Sequence, residues 1–216
     1  MAKVPRVDLR GLEVMVLGLG IITAAAVGYG IGISNPGAQA RSPTGSSTFV
    51  LSLVEIMDNA FNASAPAQPR FYVVSVDGLT PAANIAIPSH ARIELVIASY
   101  DTGSAPPPPQ YDRVSGTVGD RMTVINGTVA SGTNTTLAWG ESVTSVPADL
   151  IVHTFTVPSL NLNIPMISGD TEMAYFYANV TGTFTWVCLT PCGTGSDGLG
   201  GAMAAPGWME GQITVT

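Results

Sequence analysis

Charged side chains are scarce in this sequence. They make up 11% of its 216 residues, against about 25% in ordinary soluble domains. The formal net charge is −7, and Lys3 is the only lysine. Because phosphate binding needs a basic face, this composition excludes a nucleic-acid partner. A surface built largely from Ser, Thr, Asn and Gly changes little as the pH falls, so an acidic exterior is a hypothesis for its surroundings.

Sequence motifs for catalysis are missing as well. There is no Ser-His-Asp arrangement around a nucleophile motif, no phosphate-binding glycine loop ahead of a helix and no recognisable carboxylate cluster. The glycine pairs at 193 and 195 and at 198 and 200 lie between predicted strands, where they indicate turns. We therefore expect no catalytic and no cofactor-binding residue on this chain.

An uncharged apolar segment covers residues 14–33. At 1.5 Å per residue, a helix of this length spans the roughly 30 Å hydrocarbon core of a bilayer. Three basic residues precede it, so the positive-inside rule places residues 1–13 in the cytoplasm and the rest of the chain outside. We expect a single-pass cell-membrane protein with an extracytoplasmic C-terminal domain. The alternative is a cleaved signal peptide, for which residues 38–40 provide a small-x-small cleavage site.

Residues 34–69 are predicted to connect the membrane to the folded domain. A Ser/Pro/Gly linker covers 42–47, and apolar residues then recur at helical spacing from Phe49 to Phe61. This spacing predicts a short amphipathic helix at the membrane surface or against a partner subunit. A core helix of the domain is the alternative.

From residue 70 to the C-terminus the pattern is that of an all-β domain. Four consecutive prolines at 106–109 indicate a loop, and Asn126-Gly127 indicates a hairpin turn. Seven or eight short strands without intervening helices predict a Greek-key sandwich or barrel. The predicted strand segments are 70–77, 91–100, 114–126, 135–146, 150–157, 171–178, 182–188 and 211–216.

Two features fit an exported domain. The cysteines, Cys188 and Cys192, are four residues apart, and in an oxidising compartment their simplest state is a disulfide. Four Asn-x-Ser/Thr sequons are candidates for glycosylation. These sequons begin at Asn62, Asn126, Asn134 and Asn179.

Three segments resemble the metal-binding edges of the cupredoxins. Residues 149–158 (DLIVHTFTVP) resemble the strand-end histidine segment, and residues 182–193 (GTFTWVCLTPCG) resemble the edge of the binuclear copper site in subunit II of haem-copper oxidases. Residues 207–215 (GWMEGQITV) are similar to the ending of blue-copper proteins, including the archaeal sulfocyanins. The likeness covers residues 70–216. It implies a cupredoxin-like Greek-key β-sandwich of the kind found in subunit II of archaeal haem-copper terminal oxidases, with sulfocyanin-like features.

The resemblance also implies a ligand set. Copper that carries one electron favours thiolate and imidazole ligands held by a rigid sheet. In the family, a strand histidine and a cysteine-rich loop meet at one end of the sandwich, and a methionine after the loop adds a weak axial sulfur. Carried over to this chain, the candidate copper ligands are His153, Cys188, Cys192 and Met209.

The sequence departs from the family at one ligand. The family carries a second histidine four residues after its second cysteine, where this chain has Ser196, and Leu199 stands at the next methionine position. The other histidine, His90, lies where the family binds no copper. The leading interpretation is that the binuclear site has been lost, that no cofactor is bound, and that the four candidates are a remnant. The alternative is one copper, as Cu(I), on those four residues.

The resemblance implies a non-catalytic role in respiration. We expect a subunit II of a haem-copper quinol oxidase, with the haems, oxygen reduction and proton translocation on a partner subunit I. Its partners are then the membrane, that haem-bearing polytopic chain and other respiratory subunits. One alternative is a membrane-anchored, single-copper electron carrier of the sulfocyanin type. A second is a structural surface sandwich, and the retained W-x-C-x-x-x-C-G edge argues against it.

Overall fold

A computed structural model describes residues 48–60, 63–65, 67–125, 137 and 140–216. The expected membrane helix, the cytoplasmic N-terminus, the linker up to residue 47 and the sequons at 62, 126 and 134 lie outside the described residues. Within the described part of the chain, no helix is long and apolar enough to cross a membrane. Residues Ser46–Thr216 form one compact unit.

The described chain is built from twelve strands and five short 3-10 turns. The turns cover Asp58–Ala60, Pro109–Tyr111, Ala148–Leu150, Pro158–Leu160 and Gly201–Met203. In chain order the strands are β1 Thr48–Met57, β2 Pro69–Ser75, β3 Gly78–Pro81, β4 Asn84–Ile87, β5 Arg92–Ser99, β6 Met122–Val124, β7 Ser142–Val143, β8 Ile151–Val157, β9 Leu162–Ile167, β10 Thr171–Tyr177, β11 Gly182–Val187 and β12 Glu210–Val215.

The strands form two mixed sheets. One has the order β3-β2-β1-β5-β10-β6-β7, and the other has the order β4-β12-β11-β8-β9. Most neighbours are antiparallel, but β1 pairs parallel with β5 and β12 pairs parallel with β4. Such pairs need crossover connections, which give the sandwich its Greek-key character. The predicted all-β sandwich is confirmed.

The core lies between the sheets and is centred on aromatic rings. Trp186 stacks on Phe155 at 5.5 Å between ring centroids, and Phe71 meets Trp186 edge-on at 5.2 Å. All three side chains are fully buried. The indole N–H of Trp186 donates a hydrogen bond of 2.9 Å to the Ala82 carbonyl, so its polar atom is satisfied inside the core.

The amphipathic helix predicted from Phe49 to Phe61 is wrong over most of its length. Residues 48–57 form β1, which is hydrogen-bonded on both edges, to β2 and β5. Six consecutive residues, 51–56, are buried, because β1 lies between two neighbouring strands and both of its faces are covered. Four of the six are apolar, and Ser52 and Glu55 are buried polar residues. A short run of that kind fits helical and β spacing equally well. The sandwich therefore begins before residue 70.

The glycine-rich segment after Cys192 is folded back tightly on itself. The backbone of Thr194 exchanges two hydrogen bonds with Gly200, at 3.0 and 2.8 Å. A Cβ at Gly193 would lie 1.9 Å from the Gly200 carbonyl oxygen, so only glycine permits this approach. The turn at Gly201–Met203 follows directly, and the loop thereby carries Met203 back towards the cysteines.

Candidate metal centre

Three of the four predicted ligands come together at one end of the second sheet. His153 lies on β8, Cys188 directly follows β11, and Cys192 lies four residues further along. The Cys188 Sγ is 3.9 Å from His153 Nδ1 and 3.7 Å from Cys192 Sγ. One nitrogen and two sulfurs thus lie close enough to share a single metal ion.

A β-bulge sets the direction of His153. Between Ile151 and His153 the register of β8 against β9 shifts, so that Val152 is an extra residue. Bulges of this kind re-aim a side chain and recur beside functional sites. The His153 ring is fully buried and packs edge-on against Phe71 at 6.2 Å, which leaves it little freedom to rotate.

Hydrogen bonds hold the Cys188 sulfur from several sides. The Thr154 backbone N–H donates to Sγ at 3.4 Å, and the Thr190 hydroxyl lies 3.2 Å away. That hydroxyl also donates to the Val152 carbonyl at 3.0 Å. The Cys188 N–H donates to the Met209 carbonyl at 2.8 Å, which joins the start of the loop to the residue before β12.

Met203 provides a third sulfur, which the sequence analysis did not include among the candidate ligands. Its Sδ lies 3.3 Å from Cys192 Sγ, and both side chains are only partly buried, whereas Cys188 is fully buried. Met209, the methionine predicted from the family ending, is buried and contacts the site through its carbonyl group. Its role as a ligand stays a prediction. Met203 was missed because it is eleven residues beyond Cys192, and only the folded glycine loop makes it a neighbour.

Two carboxylates face the other nitrogen of His153. The Glu55 Oε2 and the Asp101 Oδ2 each lie 3.5 Å from His153 Nε2. Glu55 is fully buried, and its Oε2 also accepts hydrogen bonds from the Ser99 hydroxyl at 2.8 Å and from the Asp101 N–H at 3.3 Å. Carboxylates behind a histidine commonly fix the tautomer of a metal ligand. The sequence analysis assigned no role to either acid, although one charge inside the apolar run of β1 was a usable signal.

These contacts shift the ionisation of the histidine and of both thiols. Burial alone would lower the pKa of His153, but the charge of Glu55 and the hydrogen bond to Asp101 hold it well above the usual value. Burial would raise the pKa of the Cys188 thiol, but hydrogen bonds from Cys192 and His153 lower it well below its usual range. The pKa of Cys192 is raised, first by its hydrogen bond to Cys188 and then by burial.

The remaining predicted positions lie away from this cluster. Ser196 and Leu199, at the family's second histidine and methionine positions, are both exposed. His90 is exposed in a turn with a positive φ of 54°. Asn179 is exposed just after β10, where a glycan would have room. Both cysteines are free, and the predicted disulfide stays a prediction that thiol titration tests.

The donor set fits one metal ion and does not fit two. A pair of ions bridged by both thiolates needs further ligands on each ion, but His153 and Met203 complete the coordination of only one. The exposed Ser196 supplies no imidazole for the other. A single ion would need both cysteines as thiolates and His153 as a neutral imidazole, so its binding would release protons.

No family profile and no curated protein matches this sequence. Similar solved structures exist, at 14–15% sequence identity. A chain of a haem-copper terminal oxidase dimer matches over 95% of this chain and 94% of its own length, with a TM-score of 0.38. Reduced rusticyanin matches over 81% and 82% with a TM-score of 0.33, and the periplasmic domain of cytochrome oxidase subunit II of Bradyrhizobium japonicum matches over 77% and 83% with a TM-score of 0.34.

Proposed function

We propose that this chain is the extracytoplasmic, cupredoxin-like subunit II of a membrane-bound haem-copper oxidase that lacks the binuclear copper centre. The subunit is non-catalytic, and the haems and the reduction of oxygen belong to a separate polytopic subunit. A membrane anchor formed by residues 14–33 holds the sandwich at the extracytoplasmic face of the cell membrane. The chain is proposed to be archaeal in origin.

The observation that carries the proposal is the composition of one edge of the sandwich. His153, Cys188 and Cys192 converge there within a few ångström, in the order and spacing by which the sequence resembles subunit II. The position of the family's second histidine is Ser196, an exposed loop residue. A structural surface sandwich gives no reason to place two thiols against a buried histidine and its carboxylates.

The electron donor in this proposal is a membrane quinol. In the family, the binuclear centre is the port through which a soluble donor delivers electrons. Without a second imidazole the ligand set of the binuclear centre is incomplete, so electrons must reach the haems by another route. A quinol reaches the haem subunit from the membrane and bypasses the sandwich. The net charge of −7 also disfavours the docking of an acidic soluble donor.

The test is purification of the full-length chain from its native membranes through a C-terminal tag, in mild detergent. We expect a haem-bearing polytopic subunit at a constant ratio to the tagged chain. We also expect oxygen consumption with a short-chain quinol and none with a reduced soluble cytochrome or copper protein. Extraction from untagged cells is the control. Recovery of the chain without haem contradicts the oxidase assignment, and turnover with a soluble donor contradicts the quinol assignment.

A further inference from the structure

Four potential ligand atoms follow one another at the loop after β11. They are His153 Nδ1, the two cysteine sulfurs and the Met203 sulfur. Consecutive members are separated by 3.9, 3.7 and 3.3 Å. His153 Nδ1 and the two cysteine sulfurs all lie within 4.8 Å of one another, and the Met203 sulfur adjoins them at Cys192.

The spacing fits coordination of one ion. In a tetrahedral site with metal–sulfur bonds of about 2.3 Å, two sulfur ligands lie about 3.8 Å apart. With a metal–nitrogen bond of about 2.0 Å, the nitrogen–sulfur distance is about 3.5 Å. The Cys188–Cys192 and Cys188–His153 distances of 3.7 and 3.9 Å lie within about 0.4 Å of these values. The Cys192–Met203 distance of 3.3 Å is about 0.5 Å shorter than the sulfur–sulfur value, so the Met203 side chain would move outward slightly when an ion binds. A disulfide, by contrast, requires about 2.05 Å between the sulfurs.

The chemistry of the donors selects the ion. Thiolate and thioether sulfur are soft ligands, which favour Cu(I) over harder divalent cations. Structural zinc sites are completed by cysteine, histidine or carboxylate and not by a thioether. Met203 therefore distinguishes this set from a zinc site. Glu55 and Asp101, which would suit a harder cation, lie on the opposite side of the histidine ring, at Nε2.

The site is open on one side. Cys192 and Met203 are partly exposed, whereas Cys188 and His153 are fully buried. Both partly exposed residues belong to the glycine-rich segment, whose close packing at Gly193 brings Met203 to Cys192. An ion can enter from the loop side and meet the fixed ligands at the bottom.

We propose that His153, Cys188, Cys192 and Met203 form a binding site for one Cu(I) ion per chain, with Met203 as the thioether ligand. This assignment deepens the proposed function, since it concerns the same edge of the sandwich, and it differs from the family's site in its ion count and in its ligands. It also differs from the set in which Met209 supplies the thioether.

The test is an anaerobic Cu(I) titration of the full-length chain in detergent, in competition with a chromophoric Cu(I) chelator. The thiols are reduced and counted beforehand. We expect one Cu(I) per chain and no binding by Cys188→Ser. Met203→Leu should weaken binding roughly tenfold or more, as loss of a ligand or its supporting group does. The matched control is Met209→Leu, a volume-conserving change in the core, which should alter affinity by less than about twofold.

Three outcomes overturn the proposal: no Cu(I) bound by fully reduced wild-type chain, two Cu(I) bound per chain, or equal loss of affinity in Met203→Leu and Met209→Leu. Circular dichroism establishes that each variant is folded. If Met203→Leu fails to fold, the wild-type chain still tests whether the site binds Cu(I). One equivalent of Cu(I) should raise the Tm of the wild-type chain, and one equivalent of Zn²⁺ should not displace the bound Cu(I). These results are independent of haem co-purification, so this proposal and the oxidase assignment can fail separately.

Discussion

Glu55 should control the metal affinity of His153 without touching the metal. Its carboxylate lies 3.5 Å from Nε2 and is fixed by the Ser99 hydroxyl and the Asp101 N–H. With the Nε2 proton held on that side, the Nδ1 lone pair faces Cys188. Glu55→Gln keeps the size of the side chain but removes the charge that holds this tautomer.

The expected loss can be bounded from the contacts. Mutation of a group that orients a metal-binding histidine costs about 10–100-fold in affinity. Asp101 remains at 3.5 Å from the same nitrogen, so the single variant should lie near the lower bound, about tenfold or 1.4 kcal/mol. The double variant Glu55→Gln/Asp101→Asn leaves Nε2 without a carboxylate and should approach the upper bound, about 100-fold.

The assay is the same Cu(I) competition, with Glu172→Gln as the matched control. Glu172 is also a fully buried glutamate, but its carboxylate accepts from the Ile167 N–H and does not face His153. This control should leave Cu(I) affinity unchanged. The reasoning is refuted if the double variant binds Cu(I) as tightly as the wild type, or if Glu172→Gln weakens binding as much as Glu55→Gln.

Three further predictions concern stability. Burial raises the pKa of Glu172 well above its usual value. Its stabilising contribution is therefore complete below about pH 4.3 and is lost as the pH rises through the pKa of the folded state. The free energy of unfolding, measured with denaturant, should differ less between pH 4 and pH 7 in Glu172→Gln than in the wild type. Trp186→Phe removes the donor to the Ala82 carbonyl and should lower the free energy of unfolding by about 1–3 kcal/mol, and an unchanged value would contradict the role of that bond. Gly193→Ala places a methyl group 1.9 Å from the Gly200 oxygen. It should lower the free energy of unfolding by about 1–3 kcal/mol and weaken Cu(I) binding. Gly103→Ala, whose new methyl group meets only ordinary contacts, should change neither quantity.

Much of the fold could be predicted from residue alternation. The segments predicted around β2, β5, β8 and β10–β12 all contain strands at nearly those positions, because each strand carries a regular or β-branched apolar pattern. β1 was assigned to a helix because its apolar residues also recur at helical spacing, with Glu55 between them. Its parallel pairing with β5 depends on a partner more than thirty residues away, and local spacing contains no information about such a partner.

The site could be predicted in part. His153, Cys188 and Cys192 were found because they lie in short motifs whose spacing can be recognised in the sequence alone. Met203 and Glu55 were not found, since each reaches the site through tertiary structure. Met203 depends on a loop that closes on itself, and Glu55 depends on the packing of one sheet against the other.

X-ray absorption at the copper edge is the most direct test of the central claim, that this edge of the sandwich holds the ligands of one ion and not of two. It should be recorded on the full-length chain after it has been offered excess Cu(I) and the unbound metal removed. The account predicts one copper per chain, with one nitrogen at about 2.0 Å and three sulfurs at about 2.3 Å. A short copper–copper vector with two coppers per chain would contradict it.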